Sequence, residues 1–175
     1  EAIFCYLVCV KQPVLHTKLA AFFWPQLTPP AALAEWQRRL PPLQKLLGDA
    51  LRVTPKQAAF NRQSEHSVDY YDLERLLKAV KMPNRQKLER LRALYRGPFL
   101  AEVEEVNSPY FIRWRQQQRS LLQERVIEEL HLLSEHFLDN RDFALGFKST
   151  QWWLTLQPGD EPAHRLRMLL FWRNG

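Results

Sequence analysis

The chain has 175 residues, 46% hydrophobic and 25% charged, enough for one ordinary domain or two small ones around an apolar core. Its two cysteines exclude a disulfide framework and a thiol zinc site. The net charge of +6 is spread evenly, ten Lys and Arg against seven Asp and Glu in residues 1 to 80 and fifteen against twelve in 81 to 175. No single basic half stands out, and the mild basicity suits a nucleic-acid binder and a plain soluble domain alike.

The chain begins at Glu1 rather than a methionine, inside an apolar run, and reads as a piece of something longer. Ile3 to Val10 is too short to span a bilayer and lacks a basic leader region, so residues 2 to 12 read as a buried helix stopped by Pro13, in a cytoplasmic protein without a membrane segment. Cys5 and Cys9, four apart, fit one helical face as small reduced core residues. A second helix, Thr17 to Trp24, ends at Pro25, and Thr28-Pro29-Pro30 reads as the cap and first turn of a third. That third helix sets Ala32, Leu33, Trp36, Leu40, Leu43, Leu46 and Leu47 at helical spacing and closes at Gly48. Inside it, Pro41 and Pro42 cannot donate to the carbonyls of Gln37 and Arg38, which predicts a kink or a split. Residues 50 to 53 and 58 to 61, around a Thr54-Pro55-Lys56-Gln57 turn, read as a two-stranded hairpin.

Gln63 to His66 is a polar linker, and the pattern beyond it is helical. Asp69 reads as the cap of a helix to about Val80, Lys81 to Asn84 as a break, and Lys87 to Tyr95 as a helix ended by Gly97-Pro98. Ser108-Pro109 then opens a long helix with Phe111, Trp114, Leu121, Leu122, Val126, Leu130, Leu133 and Phe137 on one face. After Asn140-Arg141-Asp142 come helices at Phe143 to Leu156 and Glu161 to Trp172, separated by Pro158-Gly159-Asp160. Paired helices with a short turn and proline suit one or two tetratricopeptide-like units of about 34 residues.

The segments LAAFFWPQL (19–27), LQKLLGDALRV (43–53), LYRGPFLAE (94–102) and LQPGDEPAHRLRMLL (156–170) resemble the bacterial transcriptional activator domain architecture of SARP-type regulators. Leu94-Tyr95-Arg96-Gly97 is its most specific signature, and Ala163, His164 and Leu166 fall in family-like places. The resemblance covers nearly the whole chain, apart from strands expected before the first helix. It implies a mainly α fold, with an OmpR-like winged helix and its small hairpin wing at residues 1–66 and a tetratricopeptide-like helical domain at 67–175. It also implies a transcriptional regulator that contacts DNA through the first domain and dimerises or receives a signal through the second. Three departures bear on that function: Leu15 stands where the second helix would have a capping hydroxyl, Glu35 places a carboxylate early in the recognition helix, and Pro41-Pro42 replaces a serine-arginine-like pair.

Gln37, Arg38, Arg39, Gln44 and Lys45 are the residues expected on the DNA side of the third helix, with Arg52 and Lys56 as phosphate contacts from the wing. The alternative is a set of solvated residues on an amphipathic helix and a surface turn, leaving an interaction or ligand-sensing module that does not bind DNA. His16, His66, His131, His136 and His164 are dispersed, and His131 and His136, five apart, do not stack as a metal pair. The sequence carries no glycine-rich phosphate loop, HExxH or Ser-His-Asp pattern, and Glu104-Glu105 and Glu128-Glu129 read as solvated pairs, so neither enzyme activity nor a cofactor is expected. In the tandem Trp152-Trp153 one ring can enter the core while its neighbour lies about 100° around the helix. That pair, with Phe171 and Trp172, is the expected protein or homodimer contact, core burial being the alternative. Arg113, Arg115 and Arg119 flank Trp114 as a cationic strip for an acidic partner or a phosphate-bearing signalling ligand, or as solvated surface.

Overall fold

The computed structural model describes residues 1–65, 67–79, 82, 84–103 and 106–175. Within them the chain forms eight α-helices and a small antiparallel sheet, in the order α1 (Ala2–Val10), β1 (Val14–Leu15), α2 (His16–Phe23), α3 (Pro29–Leu47), β2 (Leu51–Val53), β3 (Gln57–Phe60), α4 (Asp69–Leu77), α5 (Asn84–Leu94), α6 (Pro109–Asp139), α7 (Phe143–Leu156) and α8 (Glu161–Asn174). These fall into two compact units. Residues 1–67 and 100–117 make the first, residues 68–99 and 118–175 the second. A single cut after residue 66 therefore does not describe the division, because the start of α6 and the loop before it pack with the first unit.

In the first unit, α1 ends where Lys11 turns into the left-handed region (φ 60°), two residues before Pro13. Leu15 offers no side-chain cap to α2, and Thr28 stands at the cap position of α3 without a side-chain bond, leaving Pro29-Pro30 in a first turn that needs no donors. The sheet order is β1-β3-β2, with Val14 opposite Ala58 and Val53 also opposite Ala58 from the other side. The hairpin expected from sequence is present, and the Val14–Leu15 strand adds a third member. Leu7, Leu19, Phe23, Trp36, Ala58 and Phe111 are buried at its centre.

The expected split of α3 is absent: the helix runs without interruption through Pro41 and Pro42. Both prolines, and Gln37 and Arg38 whose carbonyls lose their donors, are exposed, so water can take the place of the missing amide protons. The apolar stripe is narrower than its spacing suggested. Ala32 and Trp36 are buried, but Leu33, Leu40, Leu43 and Leu47 are only half-buried and Leu46 is 80% exposed.

In the second unit, Asp69 is the first residue of α4 rather than its cap, a position held by Val68. The break foreseen over 81–84 and the end of that helix at Val80 fall partly on residues outside those described, as does the linker residue His66. Side-chain caps are present at α7 and α8, where the Asp142 and Asp160 carboxylates accept from the amides of Leu145 and Ala163, although the sequence reading takes both aspartates only as parts of the breaks between helices. Leu122, Val126, Leu130, Leu133 and Phe137 of α6 are buried against α4, α5, α7 and α8 residues such as Leu76, Leu91, Trp153 and Leu170. Leu121, placed on that face by its spacing, instead points outward. At Gly146 a β-carbon would lie 2.5 Å from Leu170 Cδ2, so the buried Leu170 side chain packs directly over the glycine and would have to shift for any larger residue there.

Candidate nucleic-acid interface

At about 3.6 residues per turn, Gln37, Arg38, Pro41, Gln44 and Lys45 share one side of α3, opposite the edge that buries Ala32 and Trp36, and all five are exposed. Arg39 departs from the expected set. It lies around the helix with its guanidinium 5.4 Å from the centre of the Trp24 ring. There it lines, with Trp24, Gln26 and Asn107, a cavity of about 330 Å³ in the first unit.

Glu35 lies between the two arginines and binds both. Arg38 donates through Nε and Nη2 to the two carboxylate oxygens at 3.0 and 2.8 Å, and Arg39 Nε donates to Oε1 at 2.8 Å. These hydrogen bonds, that from Arg38 foremost, hold the carboxyl at about 2, well below its ordinary 4.5. The repulsion of phosphate expected from this carboxylate is thus offset by its own arginines, at the cost of part of their donor capacity.

The hairpin is fixed to the helices through His16, a residue the sequence reading did not single out. Trp36 Nε1 donates to His16 Nδ1 at 2.8 Å, which makes Nδ1 the acceptor, and His16 Nε2 then donates to the Thr54 carbonyl at 2.8 Å. The His16 amide donates to the Lys56 carbonyl at 3.0 Å. One imidazole therefore joins α2, the buried edge of α3 and the hairpin turn. Nothing local in the sequence marks such a bridge, because its three members are far apart along the chain. Lys56 is exposed at the turn, whereas Arg52 bends along the hairpin toward Asn61 Oδ1 (3.2 Å) and Gln63 Oε1 (3.4 Å).

In the second unit Trp153 is buried and Trp152 half-buried, the separation their 100° offset requires. Trp153 thus belongs to the core rather than to a contact surface. Phe171 is exposed yet leans on Phe147, ring centres 4.6 Å apart, and Trp172 is 78% exposed. The cationic strip is not a single surface. Arg113 is exposed, but Arg115 donates to the Val103 carbonyl at 3.3 Å within the first unit, and Arg119 donates to the Phe99 carbonyl at 2.7 Å within the second. Each of these half-buried guanidiniums thus bonds a backbone carbonyl of the stretch that follows Tyr95-Arg96-Gly97. Glu128 is exposed as expected, while Glu129 is buried 2.7 Å from Lys87 Nζ. Glu104 and Glu105 lie outside the described residues. Among those described, no three His, Cys, Asp or Glu side chains gather as a metal site, and no helix is long and apolar enough to cross a membrane. No protein-family model matches the chain, and no curated protein is significantly similar to it.

Proposed function

We propose that this chain is a transcriptional regulator of the bacterial activator type, a winged helix followed by a tetratricopeptide-like helical domain, whose first unit contacts the DNA backbone and whose second meets a protein partner. The observation that carries this reading is the outer side of α3, where Gln37, Arg38, Gln44 and Lys45 lie together and exposed. Lys56 at the hairpin turn adds a further cation on an element fastened to α3 through His16. Binding is of the backbone kind: Pro41 takes the centre of that side and offers no hydrogen bond to a base edge, while Arg38 shares its guanidinium with Glu35.

Titration of a labelled duplex at several salt concentrations tests it. Four phosphate contacts, from Arg38, Lys45, Arg52 and Lys56, give a slope of log K against log salt of about −3 to −4. Lys45→Ala with Lys56→Ala removes about 2 from that slope, whatever the duplex sequence. Absence of binding at low salt overturns the DNA reading. Tight, operator-specific binding at physiological salt overturns its sequence-independent character. The Glu35 bridge favours a second reading, a protein-interaction or ligand-sensing module without DNA binding, and the first of those outcomes would leave it as the reading still standing.

A further inference from the structure

The second unit presents two outward faces of opposite character. On α8, the side opposite the buried Ala163, Leu166 and Leu170 carries Arg165, Met168 and Trp172, with Met168 64% and Trp172 78% exposed. Arg173 borders it, Arg167 is half-buried toward the core edge, and past Glu161 the helix holds no acidic residue. On α6, the residues Leu121, Glu124, Glu128, Leu132, Glu135 and Asp139 recur every three or four positions, so they form one stripe along the helix, and all six are exposed. Four carboxylates and two leucines on one stripe are the complement of arginines around a methionine and a tryptophan. The two faces adjoin at one end, where Arg173 Nη1 lies 3.6 Å from Asp139 Oδ1.

We propose that a second copy of this chain covers both faces at once, α8 of each copy lying on the α6 stripe of the other about a twofold axis. Two surfaces that complement each other on one molecule close into a symmetric pair in which the same contact is made twice. The charges fix the register: with the two helices running parallel, Arg165 meets Glu128, and Met168 and Trp172, one turn apart, close over Leu132. Met168 and Trp172, adjacent on one side of α8 and 64% and 78% exposed, make an apolar patch that such a contact would take out of water. The proposal rests on the functional reading above only in giving the helical unit its partner.

Sedimentation velocity on the full chain without DNA tests the pairing. The expected result is a shift from the 20.8 kDa monomer to twice that mass with a Kd on the order of 10 µM, as a small charged interface gives, and a weakening of the pair as salt rises. Trp172→Ala raises that Kd by roughly tenfold or more with helical content unchanged. Arg165→Glu and Glu128→Lys each abolish pairing alone and pair again when mixed, because one contact of the mixed pair has its charges exchanged and the other is native. A parent chain that stays monomeric overturns the proposal, and so does a dimer indifferent to these substitutions or charge reversals that mixing does not rescue. A monomer that still binds duplex removes the pairing and leaves the DNA reading standing, whereas a dimer that ignores duplex does the reverse.

Discussion

At the scale of single residues, Glu35 decides how much positive charge α3 can offer. Its carboxyl is held at about 2 by the Arg38 and Arg39 hydrogen bonds, against an ordinary 4.5. A group with a depressed folded-state pKa contributes stability that is complete above the unfolded value and is lost as pH falls through the folded one. Unfolding midpoints of the parent chain and of Glu35→Gln are therefore expected to differ above pH 4.5 and to converge as pH falls toward 2. Midpoints that stay parallel across that window would show that the two arginines do not hold the carboxylate in solution. The same substitution frees both guanidiniums. Trp36 and His16 exert a different local control, since a buried indole N–H left unpaired is costly, and the imidazole supplies the acceptor from the first residue of α2.

At the scale of elements, periodicity and chain breakers located most helices, Pro13, Pro25 and Gly48 each standing just past a helix end, while the Pro41-Pro42 pair did not split α3. The starts of α7 and α8 are legible from the polar breaks Asn140-Arg141-Asp142 and Pro158-Gly159-Asp160, while the capping by Asp142 and Asp160 is seen only in the structure. The continuity of α3 is not legible, since the cost of a proline depends on whether water reaches the carbonyls it leaves unpaired. Pro41, Pro42, Gln37 and Arg38 are all exposed residues, and the Trp36 side is held by buried packing. The cost of the prolines remains in the folded state, so Pro41→Ala and Pro42→Ala are each expected to stabilise the chain by about 1–3 kcal/mol. Chemical denaturation measures this, and a loss of stability in either variant would mean that the prolines serve packing that alanine cannot supply. The acidic pair at 128–129 shows a similar limit. Adjacent carboxylates look equivalent in sequence, yet one turns outward and the other is buried against Lys87 of α5, a pairing that depends on which helices become neighbours.

At the scale of the whole molecule, the polar stretch before Val68 marked a boundary, but not the return of the chain to the first unit at residue 100. A linear reading assigns every residue after a linker to the next domain, and only the fold reveals that 100–117 supply part of the earlier core. Ser108 shows how close this supply is: its buried hydroxyl donates to the Phe22 carbonyl at 2.5 Å and accepts from the Phe111 amide at 3.3 Å, capping α6 while gripping α2. Phe111 is fully buried with its ring centre 5.4 Å from that of Phe23, and Trp114 meets Tyr6 edge-on at 5.1 Å. A fragment ending at residue 66 would leave Phe23 and Tyr6 without these partners. Such a fragment is expected to lack a cooperative thermal transition by circular dichroism, and Phe111→Ala in the full chain is expected to cost about 3–5 kcal/mol, as a large ring removed from a packed site does. A fragment of residues 1–66 that melts cooperatively near the temperature of the parent would show that the N-terminal unit is complete without 100–117, and that the boundary read from the linker is the one the chain uses.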